Sequence, residues 1–227
     1  MAADETLLEA AAAGTASFRL YAWSQPTLSL GYFQCCAGSR AFPGLGELAW
    51  VRRPSGGAAL VHHLELTYAL ALPAGLPWRK REESWLKSMH GILRDALETF
   101  GVSARPCGDS EERKLGDVLC FLHHTPGDLL IGETKIAGSA QRKQRGALLQ
   151  HGSILLAASP FTPRLPGIRE VTGTVLLAES LGDAAIEQLM KHTGWHLVST
   201  EWTLAERQRI EELADGKYSH AAWNNKR

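Results

Sequence analysis

Eight β-prone stretches crowd a chain that shows only four helical segments, and this ordering constrains the fold more than any other feature. The stretches are Phe18–Trp23, Thr27–Tyr32, Ala49–Arg53, Glu65–Leu72, Val118–Leu122, Asp128–Ile131, Thr134–Ala140 and Ser153–Ala157. Helical spacing predicts Asp4 to Ala13, closed by Gly14, and Glu83 to Phe100, which sets Trp85, Met89, Leu93, Ala96 and Phe100 on one face before Gly101. Two more helices are expected near the C-terminus, Asp183–Lys191 before Gly194, and one opened by a Thr203-x-x-Glu206 capping box and running to about Ala214. Strands that come in runs, rather than in strict alternation with helices, predict an α+β fold of mixed, mostly antiparallel sheets with flanking helices. Leu72-Pro73-Ala-Gly75-Leu-Pro77 marks a strand-to-helix boundary. Because candidate site residues fall on both sides of it, one domain over 1–227 is expected.

Composition removes several classes of function. The 227 residues carry 24 Lys+Arg against 24 Asp+Glu without a block of like charge, which argues against a nucleic-acid binder or a polybasic membrane-surface protein. An apolar fraction of 44% supports a real core. No run approaches the ~18 apolar residues of a membrane-spanning helix. The start carries Asp4, Glu5 and Glu9 where a secretory signal would be basic, so a cytoplasmic location is expected. Cys35, Cys36, Cys107 and Cys120 contain no CxxC pair, so they are read as reduced thiols rather than a disulfide framework or a metal site.

Three segments carry residue types suited to chemistry. Arg52-Arg53-Pro54-Ser55-Gly56-Gly57, leading to His62, places fixed positive charge beside a glycine turn with accessible N–H groups, which suits an anionic or strongly polar group; an ordinary hairpin turn has the same look. Lys135 precedes Ala137, Gly138, Ser139 and Ala140, whose small side chains let a ligand approach the backbone. Such a lysine either polarises a carbonyl or is simply solvated. Gln150-His151-Gly152-Ser153 precedes an apolar strand, and His151 either shuttles a proton or satisfies a buried carbonyl, with no carboxylate partner in its own segment.

Cys120 lies in Val118-Leu119-Cys120-Phe121-Leu122, upstream of Lys135. An apolar run usually hides an inert cysteine. The competing reading is a thiolate brought close to Lys135, since a nearby cation favours the nucleophilic form. His123 and His124 follow as loop residues.

Ordered along the chain, these motifs resemble the lipoate-protein ligase A/B family. The opening helix, Trp23 to Gln34, the Arg-Arg-x-Ser-Gly-Gly turn, Lys135-Ile-Ala-Gly-Ser-Ala-Gln141, Gln150-His151-Gly152-Ser153 and Lys217-Tyr218-Ser219 to Trp223-Asn224 all take part. The resemblance implies the fold of the biotin/lipoate-protein ligase catalytic domain. It implies an enzyme that attaches octanoyl or lipoyl groups to a lysine of a lipoyl domain, such as glycine cleavage H protein or a 2-oxoacid dehydrogenase E2. Arg52, Arg53, Ser55, Gly56, Gly57, His62, Gly138, Ser139, Ala140, His151 and Gly152 are the substrate-binding residues it implies.

Two chemistries occur in the family. Ligases activate free lipoate with ATP and Mg, through an adenylate. Octanoyltransferases take the acyl group from octanoyl-acyl carrier protein onto a cysteine and need no cofactor. Cys120-Phe121 ahead of the lysine strand looks like one octanoyltransferase branch, and Ala58, where the family more often has glycine, narrows the turn against an adenylate. Cys120 as nucleophile and Lys135 as oxyanion stabiliser are the catalytic residues expected, with Leu28, Leu30, Ala137 and Gly138 lining the acyl slot.

Overall fold

The computed structural model describes residues 1–36, 44–75, 84–114 and 118–226. Glu83 and the Leu76-Pro77 end of the expected boundary lie outside the described residues. A six-stranded sheet forms the centre, in the order β1 (Ser17–Tyr21), β5 (Glu65–Leu72), β11 (Ala147–Leu155), β10 (Thr134–Gln144), β9 (Leu129–Ile131) and β6 (Arg105–Pro106). Each neighbouring pair runs antiparallel. A second sheet places β2 (Thr27–Leu30) between β3 (Ala49–Arg52), parallel to it, and β4 (Leu60–His62), antiparallel. Two short strands, β7 (Arg113–Lys114) and β8 (His123–His124), pair separately.

β5 is buried along its whole length because both sheet faces are covered. Its even-numbered Leu66, Tyr68, Leu70 and Leu72 pack with Trp85, Met89, Ile92 and Leu93 of α2 (Trp85–Glu98), and with Leu181, Ala185 and Leu189 of α4 (Ala178–Thr193). Odd-numbered Ala69 and Ala71 meet Leu7, Leu8 and Ala11 of α1 (Ala2–Ala12). Alanine there lets the helix lie close to the strand. Ser84 caps α2 by accepting from the Lys87 amide, and Thr203 and Glu206 cap α5 (Leu204–Leu213) reciprocally, as the sequence predicts. A short α3 (Ile168–Thr172) and a terminal α6 (Ala221–Asn224) complete the described α-helices, and a π-helical turn, Ala214–Tyr218, extends α5.

Two departures from the sequence reading matter for the site. Val118–Leu122 is not a strand; Cys120–Leu122 forms a single 3-10 turn, and only Leu119 bridges a neighbour, Ala59. Its backbone is used sideways: the Ala59 amide donates to the Val118 carbonyl and the Cys120 amide to the Ala59 carbonyl, both at 2.7 Å. β11 also begins six residues earlier than the expected Ser153. Arg145 and Gly146 both adopt positive φ, at 49° and 84°, which makes a two-residue hairpin between β10 and β11 and carries His151 and Gly152 into mid-strand.

Within the small sheet, the turn after β2 is pressed on the loop between β3 and β4: Gly31 touches the Gly57 carbonyl so closely that a side chain on Gly31 would overlap that backbone oxygen. Gly31→Ala is therefore expected to destabilise the chain by about 1–3 kcal/mol through overpacking. A urea unfolding midpoint equal to wild type would show that the contact is slack.

Candidate active site

Arg52 ends β3 and Arg53 follows it, and the two arginines have separate tasks. Arg52 is fully buried: Nε donates to the Asn224 carbonyl at 3.0 Å, and Nη1 to the Gly31, Tyr32 and Gln34 carbonyls at 2.8, 3.3 and 2.8 Å. Its amide donates to Asn224 Oδ1, and its carbonyl accepts from Trp223 Nε1. Arg52 thus fastens the Trp223-Asn224 end to the 31–34 turn. It does not line the cavity described below, contrary to the substrate-binding expectation, because these backbone carbonyls hold its guanidinium.

Arg53 shapes the glycine loop. Nη2 donates to the Gly56 and Ala58 carbonyls at 2.8 and 2.6 Å, Nε to Gly56 at 3.2 Å, and Nη1 to Ser29 at both its carbonyl and its hydroxyl. The loop is wound around its own arginine. Gly57, with φ of 91°, sits 2.9 Å from Nη2 measured from where a Cβ would be, so glycine serves both conformation and space.

Across the central sheet, period-two alternation gathers one polar row. Arg19 and Tyr21 of β1, Thr67 of β5, His151 and Ser153 of β11, and Gly138 and Ala140 of β10 share a face, as their pairings require. Asp4 of α1 lies on this row. It accepts from Arg19 Nη1 at 3.1 Å and Tyr21 Oη at 3.0 Å, and bonds His151 Nδ1 at 3.1 Å. Burial works to raise the Asp4 carboxyl, but the His151 bond and the neighbouring cationic groups outweigh it and hold the carboxyl far below its ordinary value. An ionised Asp4 fixes the His151 proton on Nδ1, leaving Nε2 to accept from the Ser55 hydroxyl. The carboxylate partner that the sequence around His151 lacks is therefore supplied from the first helix. Ser55 lies behind the cavity wall, not on it.

A second histidine is held the same way. His62 Nδ1 lies 2.6 Å from Glu65 Oε1, which also accepts from Thr67 and Ser153, and His62 Nε2 lies 2.8 Å from the Ser29 hydroxyl. Trp23 stacks on His62 at 4.1 Å and donates to Thr67. Beneath the opposite face, His90 joins the Gly127 carbonyl to the Ser139 hydroxyl, and Tyr68 and Gln150 extend the chain. Burial lowers His90 and pushes Tyr68 up to about 12. Asp4, Glu65, His90 and Tyr68 carry no motif signal in one sequence; their roles come from pairing register.

Lys135 does not face solvent. Its Nζ lies 2.7 Å from Asp128 Oδ2, donates to the His123 carbonyl at 3.0 Å and reaches the Cys120 carbonyl at 3.5 Å. A register shift between Lys135 and Ala137 turns the lysine toward Gly138, where a Cβ would come within 2.7 Å of Lys135 Cε and 3.2 Å of Asp128 Oδ1. The missing side chain at Gly138 makes room for this ion pair as well as for a ligand. His124 is buried in its short strand, not in an open loop as expected.

These elements enclose a narrow cavity of about 70 Å³. Arg53, Gly56, Gly57, His62, Cys120, Gly138, Ser139, Ala140, His151 and Gly152 line it, joined by Tyr21, Leu60, Thr67, Phe121 and Ser153. Leu28 and Leu30 lie instead in the core beneath the small sheet, and Ala137 in the main core, so they do not form the expected slot. Their place is taken by Leu60 and Phe121. A larger recess of about 450 Å³, with Lys87, Arg94, Cys107 and His192 on its walls, opens elsewhere and contains none of the motif residues.

The cavity gathers a thiol, two carboxylate-held histidines and a glycine turn from four distant stretches of chain, and residues 1–164 match the lipoyl protein ligase A/B catalytic domain. The chain belongs to this family. Among relatives, the octanoyltransferase LipM of Kyrpidia tusciae is 31% identical, over 99% of this chain and 93% of its own length. LipM of Carboxydothermus hydrogenoformans is 37% identical over 98% and 92%. Among solved structures, a lipoate-protein ligase A bound with ATP matches with a TM-score of 0.77 at 22% identity, over 99% of this chain and 92% of that one. A bi-partite lipoate protein ligase of Thermoplasma acidophilum, studied with its E2 lipoyl domain, matches with a TM-score of 0.75 at 20% identity, over 99% and 89%. These structural matches show the fold of the family's catalytic domain.

A depressed carboxyl stabilises the folded chain above its unfolded value, and that contribution is lost as pH falls through the folded value. Asp4→Asn is therefore expected to lower the melting temperature at neutral pH and to flatten its decline below about pH 4, where wild type loses the Asp4 contribution. Parallel melting curves for the two proteins in acid would contradict this role for Asp4.

Proposed function

We propose that this protein is an octanoyltransferase of lipoate assembly that carries the acyl group as a thioester on Cys120. The observation that carries the reading is the place of Cys120: it opens on the same cavity as the glycine loop and His151, tied to that loop through Ala59. Near-full-length similarity to proteins named octanoyltransferase supports the same reaction. Octanoyl-acyl carrier protein is the donor, and the lysine of a lipoyl domain, in glycine cleavage H protein or a 2-oxoacid dehydrogenase E2, is the acceptor. A carrier-protein donor fits a cytoplasmic enzyme, and no helix of the described residues is long and apolar enough to cross a membrane.

In the first half-reaction, the Cys120 thiolate adds to the octanoyl carbonyl. An S–C bond forms, and the carrier's sulfur leaves with the electron pair of the bond that breaks and takes up a proton. In the second, the neutral amine of the acceptor lysine attacks the same carbon, Cys120 leaves as thiolate, and the amine gives up one proton. That proton passes to solvent; His151, with Nδ1 on Asp4 and Nε2 on Ser55 behind the wall, shapes the cavity rather than receiving it. The Lys135–Asp128 pair braces the Cys120 and His123 carbonyls, and so fixes the turn that presents the sulfur. The donor thioester already carries the activation, so no nucleotide is consumed. Burial of the acyl chain supplies roughly 0.8 kcal/mol per CH₂, which favours octanoyl over much shorter chains without separating it sharply from its neighbours.

Incubation with octanoyl-carrier protein, without ATP, is expected to add one octanoyl mass to the intact wild-type protein and none to Cys120→Ala. Lipoylation from free lipoate with ATP and Mg that survives Cys120→Ser would replace the reading with an adenylating ligase.

Gly152→Ala tests the strand that carries His151, by pushing on it from the face opposite the cavity. A Cβ there would fall 2.5 Å from Ser139 Oγ and 2.7 Å from Tyr68 Cε1. Acyl loading is expected to fall at least about tenfold in a folded variant, by misplacement of the reacting groups. Loading at the wild-type rate would move the acyl site away from this strand.

A further inference from the structure

Arg53, on the Cys120 cavity wall, and Lys135, bonded to the cysteine turn, differ in what already neutralises them. The Lys135 ammonium has a buried carboxylate, Asp128, at 2.7 Å. Its remaining contacts with the cysteine turn are to the Cys120 and His123 carbonyls and to the face of the Phe121 ring. A second anion gains little from a cation so paired.

Arg53 is only 6% exposed, and its bonds run to neutral acceptors: Ser29 carbonyl and hydroxyl, and the Gly56 and Ala58 carbonyls. Among the described residues, no carboxylate lies within ion-pair distance of it. The acid linked to it, Glu65, is reached only through Ser29 and His62, and its Oε1 already receives three bonds. A guanidinium keeps its proton at any ordinary pH, so a full positive charge stands in a low-dielectric wall and favours an anion beside it.

Cys120 is the group placed to supply that anion. It lines the same cavity as Arg53, and its amide is bonded to Ala59, the residue after the carbonyl that Arg53 grips. Burial lowers Arg53, and the charge of a Cys120 thiolate works in the opposite direction, so the two groups lie within electrostatic reach. The other titratable groups around the sulfur are His62, His151, Tyr21 and the Met1 residue with its amino group, which burial lowers, on the cavity wall, His123 beyond the turn, and the Lys135–Asp128 pair behind it.

We propose that Arg53, rather than Lys135, is the cation that holds the Cys120 sulfur as a thiolate. This rests on the thioester reading and deepens it: the charge that arms the sulfur for attack also makes it a good leaving group when the acceptor amine displaces it. Arg53 then has two tasks, winding the glycine loop and setting the charge state of the nucleophile.

The test is the rate of Cys120 alkylation by iodoacetamide as a function of pH, resolved by peptide mass spectrometry so that Cys35, Cys36 and Cys107 act as internal references. Arg53→Gln is expected to slow Cys120 alkylation at neutral pH about tenfold, with the rates converging in alkali, where thiolate forms without help. Arg53→Lys, which keeps the charge, is expected to recover most of that loss. The double variant Asp128→Asn/Lys135→Gln removes the neutralised pair without leaving a lone buried charge, and loosens the cysteine turn; it is expected to change the Cys120 rate by a similar factor at every pH, with no convergence in alkali. Wild-type alkylation in a folded Arg53→Gln protein, or a neutral-pH loss that disappears in alkali in the double variant alone, would overturn the assignment. If Arg53→Gln does not fold, the pH profile of the double variant decides: a loss there that disappears in alkali returns the role to Lys135. An octanoyl adduct on wild-type Cys120 together with pH-insensitive Arg53→Gln alkylation rejects Arg53 alone. Absence of any adduct rejects the thioester reading and the arming role with it.

Discussion

Burial of two consecutive guanidiniums at the end of β3 is the constraint on which the site depends. Neither Arg52 nor Arg53 can lose its charge, and the cost of taking each out of water is offset by a set of backbone carbonyls collected from remote turns. Arg52 draws in the Trp223-Asn224 terminus and the 31–34 turn. Arg53 draws its own loop into a coil against β2. Once the coil is closed, Gly31 and Gly57 must touch, and Ala59 presents its edge to the cysteine turn. The position of Cys120 is thus a consequence of where two positive charges find acceptors.

Around this frame the chain repeats one device. A histidine on the cavity wall is held by a buried carboxylate from elsewhere: His62 by Glu65 and His151 by Asp4. Each carboxylate fixes a tautomer and turns the second nitrogen toward a serine, Ser29 in one case and Ser55 in the other. The two serines bracket the glycine loop. Orientation of the ring and shape of the loop are therefore coupled, and a change in one histidine disturbs the geometry offered to the acyl carbonyl.

Much of the fold was legible because it rests on local rules. The Thr203–Glu206 box, a helix within the expected Glu83–Phe100 and a strand over Glu65–Leu72 follow from local spacing and composition. Most residues of the glycine, lysine and histidine motifs do converge on one cavity, because period-two alternation on neighbouring strands places them there. What the sequence could not show is pairing across distance. Asp4 and His151 stand 147 positions apart, and only strand register and the seat of α1 bring them together. Leu28 and Leu30 read as slot residues from their apolar character, yet a strand in the middle of a small sheet turns such side chains into the core. The Val118–Leu122 run has strand composition, but its backbone is spent on Ala59 and on a tight turn. Gly138 carries a double meaning for the same reason: its space is shared by a ligand and by the Lys135–Asp128 pair that no spacing rule reveals.

The central claim is that the sulfur of Cys120 is a true way-station for the acyl group, and chemical competence tests it most directly. Acyl-enzyme prepared from octanoyl-carrier protein is freed of carrier, mixed with an unmodified lipoyl domain, and both proteins are followed by intact mass in a single turnover. The expected result is loss of octanoyl from the enzyme and its appearance on the lipoyl-domain lysine with one shared rate constant. An adduct that stays on the enzyme, while lipoyl domain is modified only when carrier protein is added back, would contradict the account.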